Sequence, residues 1–184
     1  MGRVVTPPPG RLIFSVVYCH IDALADGLAR LEKEFGSVQF ETVDIPFHGE
    51  PRHVEEMGDP LFRRFFSFEQ LIDPDKLVDV KRTCRKVEAA FADHVGDHLF
   101  RAVNVDPGVM TPEKVVMASS HEYNYRIYLG KGVFAQIELI YARGRYVGLP
   151  WTNPDFCHAE ALEFFSRVRG SFDLVKEKAA AVGP

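Results

Sequence analysis

The feature that most constrains the fold is the apolar run RLIFSVVYC at residues 11–19, which only Arg11 and Ser15 interrupt. A strand with one wet face alternates apolar and polar residues, and this run does not alternate. It predicts a central strand covered on both faces. At 184 residues the chain is long enough to bury such a core as a single domain, residues 1–184, in which residues 1–10 form an extended lead-in.

Helices and further strands are predicted around this first strand. Helices are expected after Asp22 and after Asp73, because apolar residues there repeat at spacings of three and four. The connection at residues 46–60 is long and polar. The order of elements is β-α-β-β-α-β, which predicts an α+β fold with a ferredoxin-like core. The four strands of that core are expected at residues 11–19, 38–45, 61–70 and 99–105.

The rest of the chain predicts a short helix over residues 111–119, a β-hairpin and a C-terminal helix. The hairpin segment NYRIYLGKGVFAQIELIY alternates on both arms around a three-residue loop at 130–132. That loop gives each arm one wholly apolar face. On the other face it places Arg126 opposite Gln136 and diagonal to Glu138.

Charge and cysteine content exclude several classes of protein. The net charge of −4 disfavours duplex DNA or RNA as a partner, since such binding depends on neutralising phosphates with Lys and Arg. Three separated cysteines without a C-x-x-C motif disfavour disulfides and a Cys-rich zinc site, and they predict a reducing cytoplasm. No apolar stretch approaches the roughly 20 residues that span a bilayer. The N-terminus has no apolar signal core, so no membrane association is predicted.

Asp106, in the segment NVDPGVMTPEK, has two interpretations. It precedes Pro107 and Gly108, and Asp before Pro-Gly is typical of a turn, which is the favoured account. The alternative is a catalytic carboxylate at the end of a strand, beside a helix N-terminus where ligands often bind. Cap-Pro-acid patterns predict helix starts at residues 73–75, 111–113 and 153–155, where capping accounts for the acidic residues.

The polar face of the hairpin is the strongest functional candidate. Glu138 on this face is positioned to hold the guanidinium of Arg126 and to aim both groups at a ligand. The favoured interpretation is nevertheless a solvated sheet face with cross-strand pairing. Tyr128, Phe134 and Ile140 share the face, so it is expected to be covered by a helix or to line a pocket.

Histidine spacing supports no metal site. His94 and His98 have the i, i+4 spacing of helical metal ligands, but a frayed helix end is the favoured interpretation. His48 and His53, with Glu50, form a second pattern that lacks a ligand fixed by spacing. His121 is a general-base candidate because of its neighbours. No phosphate-loop, dinucleotide-binding, hydrolase or metalloprotease motif occurs, and no cofactor is indicated.

Four segments occur in this order along the chain: RRFFSFEQLIDPDKLVDVK, NVDPGVMTPEKVVMASS, YRIYLGKGVFAQIELIY and LPWTNPDF. Together they resemble a bacterial and archaeal family known as domain of unknown function 4416 (DUF4416). The resemblance extends from Arg11 to the final helix. It implies a small, stand-alone prokaryotic protein of unknown function, and it transfers no activity, cofactor, partner or catalytic residue.

Two classes of function follow. The first is a site for an anionic small molecule, such as a nucleotide or phosphorylated metabolite, either binding or enzymatic, in a concave pocket that joins the hairpin to Asp106. Its candidate acid/base groups are Asp106, His121 and Glu138. Its ligand-binding candidates are Arg126, Lys131, Lys114, Trp151, Tyr128 and Gln136. The second class is a non-catalytic protein- or RNA-interaction module that uses a shallow sheet face and has no pocket.

Overall fold

The computed structural model describes residues 5–49, 51–95 and 98–181, with side chains as far as Asp173. An α+β fold is confirmed, with a nine-stranded antiparallel sheet at its centre. The helices are α1 (Ile21–Phe35), α2 (Pro51–Met57), α3 (Leu77–Ala89) and α4 (Ala159–Ala181), and 3-10 turns occupy Pro74–Lys76 and Pro154–Cys157. The strands are β1 (Gly10–Tyr18), β2 (Val38–Glu41), β3 (Ile45–Pro46), β4 (Phe62–Ile72), β5 (Ala92–Val95), β6 (His98–Arg101), β7 (Val103–Met110), β8 (Lys114–Ser119), β9 (Ile127–Gly130), β10 (Val133–Ala142) and β11 (Arg145–Gly148).

The strands of the sheet lie in the order β11-β10-β8-β7-β1-β4-β2, with β3 added to β4 and β9 added to β10. Strand β1 is central, and all nine of its residues are buried. The hairpin β5–β6 forms a separate two-stranded sheet. Within the described part of the chain, no helix is long and apolar enough to cross a membrane.

Two apolar layers cover the sheet, one on each face. On one face, Phe14 and Phe68 pack beneath α1 and α3 with Leu31 and Cys84. On the other face, the phenylalanines of α4 and of the preceding 3-10 turn pack against Phe65. Alternate residues of β1 serve the two layers, which explains why its sequence is apolar without alternation.

The predicted helix over residues 111–119 is wrong. Residues 114–119 form strand β8, and Thr111 and Lys114 exchange backbone hydrogen bonds across a tight turn that joins it to β7. The cap-Pro-acid pattern misled here because Thr followed by Pro also suits the first two positions of a β-turn. Glu113 therefore lies in a hairpin turn and caps no helix.

Asp106 lies inside strand β7, so the turn predicted at Asp-Pro-Gly is also wrong. Pro107 has no N–H to donate, and the β7–β8 ladder begins only at the next pair, Gly108–Met117. Gly108 allows the two strands to approach closely, because a Cβ there would lie 2.3 Å from the Met117 sulfur.

Other local predictions also need correction. The connection at residues 46–60 contains α2, and His94 and His98 belong to strands β5 and β6 rather than to a frayed helix end. The β9–β10 hairpin pairs Ile127 with Ala135, but the faces differ from the prediction. Ile127 is 71% exposed, whereas Gln136 and Glu138 on the face predicted to be polar are buried. At Gln136 and Glu138 that face turns toward a cavity, and at Tyr128 it is exposed.

Candidate functional site

A cavity of about 540 Å³ opens beside β7, lined by α3 from one face of the sheet and by the 3-10 turn before α4 from the other. The ladder between β7 and β8 has only three pairs and stops at Gly108–Met117. Beyond that point β7 continues along β1 to Val103, while β8 continues along β10 to Ser119. The sheet therefore opens between the two strands, and the cavity has a volume typical of small-molecule sites.

Side chains of α3 take the place of the missing strand beside Val105. Lys81 Nζ donates a 2.8 Å hydrogen bond to the Val105 carbonyl, and Glu88 Oε1 accepts a 2.6 Å bond from the Val105 N–H. Both backbone groups that a neighbouring strand would have paired are satisfied by these bonds. The opening in the sheet is therefore a hydrogen-bonded part of the fold.

Lys81 also holds Asp106. Its Nζ lies 2.7 Å from Asp106 Oδ1 and 3.9 Å from Glu88 Oε1, and the Lys81 side chain is only 3% exposed. Although burial lowers it, the pKa of Lys81 is raised by the charges of Asp106 and Glu88. Burial opposes ionisation of Asp106, but the Lys81 charge prevails and lowers the pKa of that carboxyl. Asp106 is therefore an ionised carboxylate, and its side chain is 35% exposed, on the wall of the cavity.

A polar chain continues from Asp106 along the cavity wall. Asn104 Nδ2 donates to Asp106 Oδ2 at 2.9 Å, and Arg101 donates to Asn104 Oδ1 at 2.5 Å. Arg101 also donates to Glu56 of α2 at 2.7 Å. The chain fixes the orientation of Asp106 and links β7 to α2.

Arg126 reaches the cavity from the opposite side. It donates to the Gln136 side-chain oxygen, to Ser119 Oγ at 2.7 Å and to the His121 carbonyl at 2.8 Å. All of these acceptors are neutral. The guanidinium also lies 4.8 Å from the centre of the Tyr123 ring. Arg126 is thus held rigidly, and no carboxylate of the described residues forms a hydrogen bond with it.

An inner chamber of about 50 Å³ lies behind the cavity and shares five wall residues with it: Arg63, Asp106, Ser119, Arg126 and Asn153. Gln136 and Glu138 belong to the chamber, and Gln136 Nε2 donates to Glu138 Oε1 at 2.5 Å. Glu138 is only 2% exposed, and burial raises its pKa to about 7 despite the nearby Arg63 charge.

A row of stacked aromatic rings leads out of the cavity. Tyr123 and Tyr125 line it with ring centres 5.6 Å apart and planes within 6° of parallel. Trp151 continues the row, 5.7 Å from Tyr125 and nearly parallel to it. Trp151 is held by a 2.8 Å hydrogen bond from its Nε1 to the Ile137 carbonyl. Because the rings cover one another's faces, Tyr123 and Tyr125 contribute mainly ring edges to the cavity wall, beside Arg126.

The residues predicted as a site divide into two groups. Asp106, His121 and Arg126 line the cavity, Gln136 and Glu138 line the chamber, and Trp151 adjoins them through Tyr125. Burial and the nearby Arg52 charge lower the pKa of His121. The members of the second group lie outside the walls of both spaces: Lys114, Lys131 and Tyr128.

Several wall residues escaped the sequence analysis. Lys81 lies on the core-facing stripe of α3, four residues after Leu77 and three before Cys84. Arg63 is a second charged residue at a buried position, since it shares a buried face of β4 with Phe65. A charge in the middle of an apolar stripe was the available signal, because such charges need a buried partner. Arg52, Arg85, Arg101 and the two tyrosines gave no comparable signal.

No metal site is evident. His48 and His53 line the cavity, whereas Glu50 lies outside the described residues. Among residues 5–49, 51–95 and 98–173, no group of three or more His, Cys, Asp and Glu side chains is arranged to hold a metal ion.

Comparison with known proteins gives a family and no function. No curated protein and no solved structure matches the chain. The model of one family, described as domain of unknown function (DUF4416), matches residues 8–172. Because the match covers nearly the whole sequence, the chain belongs to the DUF4416 family.

Proposed function

We propose that the cavity binds a small anionic molecule of the nucleotide or phosphorylated-metabolite class. One observation carries the proposal, the charge of the walls. Among the described residues, three carboxylates line the cavity: Glu88, Asp106 and Asp155. Six cations line it: Arg52, Arg63, Lys81, Arg85, Arg101 and Arg126. The formal balance is positive in a protein whose net charge is −4.

Local pairing leaves two of these cations available. Lys81 is held by Asp106, and Arg63 lies 3.4 Å from Asp155. Arg52 and Arg101 share Glu56 just outside the cavity wall. The two remaining cations are Arg126, whose acceptors are neutral, and Arg85, which makes no hydrogen bond or ion pair with any described residue. Clustered positive charge at a concave wall raises the local concentration of anions and their association rate.

The aromatic row can contact a ligand that carries a ring through its ring edges. Tyr123 and Tyr125 lie at the cavity wall beside Arg126, so a ring that packs edge-to-face against them would be next to a guanidinium that can hold a phosphate. Asp106, His121 and Glu138 supply the acid/base groups that an enzymatic role would require.

We further propose a ferredoxin-like βαββαβ unit built from β1, α1, β2, β4, α3 and β7. The antiparallel order β7-β1-β4-β2 supports it. An experimental structure with another strand order would contradict this assignment. That the protein is bacterial and cytoplasmic stays a prediction from the sequence.

A thermal-shift screen with nucleotides, sugar phosphates and inorganic pyrophosphate tests the function. A ligand that binds the native state raises the melting temperature by mass action. We expect a shift in the wild type that is lost in Arg126→Ala and kept in Arg145→Ala, which removes an exposed arginine outside the cavity wall. Cooperative melting without any shift would contradict the proposal and favour the interaction module, with the exposed strand β9 as its surface.

A further inference from the structure

The inner chamber has two buried polar atoms without a hydrogen-bond partner among the described residues. They are Glu138 Oε2 and Arg63 Nε; Glu138 is 2% exposed and the Arg63 side chain is 7% exposed. Arg63 is close to Asp155, but the 3.4 Å contact does not have the geometry of a hydrogen bond. Buried polar atoms are almost always bonded to protein, water or ligand. Both residues line the chamber, so its occupant is expected to satisfy them.

The chamber has room for such an occupant. Its volume of about 50 Å³ exceeds the roughly 15 Å³ that one water molecule needs. It adjoins the larger cavity, with which it shares wall residues that include Arg63 and Arg126. A ligand in the cavity is therefore able to place one terminal group in the chamber.

The charges of the chamber determine which group is favoured. Its walls carry two cations, Arg63 and Arg126, and two carboxylates, Asp106 and Glu138. With both carboxylates ionised the formal charge is zero, and with Glu138 protonated it is positive. Asp106 stays ionised because Lys81 holds it. Glu138 is thus the group whose protonation makes the chamber attractive to an anion.

We propose that the inner chamber receives a terminal oxyanion of the ligand, a phosphate or carboxylate group, and that Glu138 takes up one proton as this group enters. Arg63 Nε donates to the oxyanion, and protonated Glu138 donates through Oε2. The anion binds no proton itself; the proton comes from solvent and stays on Glu138. This inference rests on the proposed function and names the part of the ligand that the chamber recognises.

The groups that face Glu138 are consistent with this coupling. The ionised form of Glu138 is favoured by Arg63 on β4, by the backbone N–H of Asn153, by the Gln136 amide that donates to it and by Arg126 before β9. Asp106 on β7 and the Cys157 thiol on the 3-10 turn also lie nearby. An entering anion engages the two guanidinium groups that stabilise the Glu138 carboxylate. The pKa of Glu138 must then rise, and proton uptake follows by linkage.

Calorimetric titration with sulfate tests the inference. Sulfate stays fully ionised at neutral pH, so any proton taken up on binding comes from the protein. Titrations at about pH 7.5 in two buffers of different ionisation enthalpy give the number of protons bound per sulfate. We expect between about a half and three quarters of a proton for the wild type, because Glu138, with its pKa of about 7, is about three quarters ionised beforehand.

A matched pair of variants assigns the proton. Glu138→Gln keeps a hydrogen-bonding side chain of the same size and should bind sulfate with little or no proton uptake. Its affinity should be nearly constant between about pH 7 and pH 8.5, where that of the wild type falls several-fold. Glu34→Gln, a change at an exposed site on α1, should behave as the wild type does. Should Glu138→Gln fail to fold, the proton count of the wild type still decides.

Sulfate binding without proton uptake in the wild type would overturn the inference and leave the proposed function intact. Proton uptake that persists in a folded Glu138→Gln variant would also overturn it. Absence of sulfate binding at any pH would contradict the proposed function as well as the inference.

Discussion

The α4 side of the sheet has two halves that differ in chemistry. Phe65 and Arg63 are two residues apart on β4 and point to the same face. Phe65 packs against Phe156, with ring centres 4.7 Å apart, and against Phe164 and Phe165. Arg63 instead faces the cavity with Asp106 and Glu138. One face of one strand therefore serves a core at one end and a polar cavity at the other.

The two halves stabilise the protein in different ways. Burying the phenylalanines stabilises the fold by removing apolar surface from water and by ring packing. The buried charges of the other half cost solvation free energy, which their partners repay only when the geometry is good. A cluster of buried charges in a cavity therefore indicates a functional site more than a source of stability. Changes in the apolar half should therefore affect unfolding alone, whereas changes in the polar half should also affect ligand binding or pH dependence.

The largest effect is expected in the apolar half. Phe165→Ala should lower the free energy of unfolding by about 3–5 kcal/mol, because the ring is fully buried and its removal leaves a cavity. Urea denaturation measures this, and Phe134→Ala on β10, where the ring is only partly buried, should cost less. The sulfate affinity of folded Phe165→Ala should equal that of the wild type. A loss of affinity would show that the two halves are coupled.

The second effect concerns the ion pair beside the opening in the sheet. Lys81→Met should lower the free energy of unfolding by about 3 kcal/mol, since it leaves Asp106 and Glu88 without their buried cation. The double variant Lys81→Met/Asp106→Asn should recover part of this loss, because one of the two unpaired carboxylates is then neutral. Urea denaturation of the four proteins of the cycle measures the coupling. Additive losses would mean that the Lys81–Asp106 contact contributes no stability.

The third effect is a pH dependence. The pKa of Glu138 rises from an ordinary 4.5 to about 7 on folding, so the native state binds more protons than the unfolded state between these values. Stability should therefore fall as the pH rises through this window, by about 2–3 kcal/mol from this group. Glu138→Gln should match the wild type below about pH 4.5 and exceed its stability above about pH 7. Equal stability of the two proteins at pH 8 would contradict the raised pKa of the buried Glu138 carboxyl.

The core was predictable because its signals are local and repeat along the chain. The continuous apolar run at 11–19 identified the central strand, and the spacings of three and four after Asp22 identified α1. The helix predicted at 111–119 failed because a cap-Pro-acid pattern serves turns as well as helices. A single short pattern gave the wrong element, whereas a repeated one gave the right one.

The site was only partly predictable, because its charges come from distant parts of the chain. Arg126 and Gln136 were found through hairpin pairing, which is a local relation. Lys81 and Asp106 are 25 residues apart in sequence. They meet because the β7–β8 ladder ends at Gly108, which leaves room for the Lys81 side chain beside β7. Lys131 was predicted to belong to the site because it is a cation at the tip of the hairpin. It instead pairs with Asp79 on the outer side of α3, and both side chains are 60% exposed. Charge type alone could not distinguish these two lysines.

The smallest effect is expected at two exposed cations, Arg85 on α3 and Lys131 at the neighbouring hairpin tip. Arg85→Ala removes a guanidinium that lines the cavity without a partner among the described residues, whereas Lys131→Ala removes an ammonium already paired with Asp79. We expect Arg85→Ala to weaken sulfate binding about threefold at low salt, because a single exposed charge contributes less than about 1 kcal/mol. Lys131→Ala should leave the affinity unchanged, and neither variant should alter the melting temperature by much. The Arg85 effect should disappear at high salt, where exposed charges are screened. If both variants weakened binding equally, the anion would be attracted by the overall positive charge of this surface. Binding inside the cavity would then be contradicted.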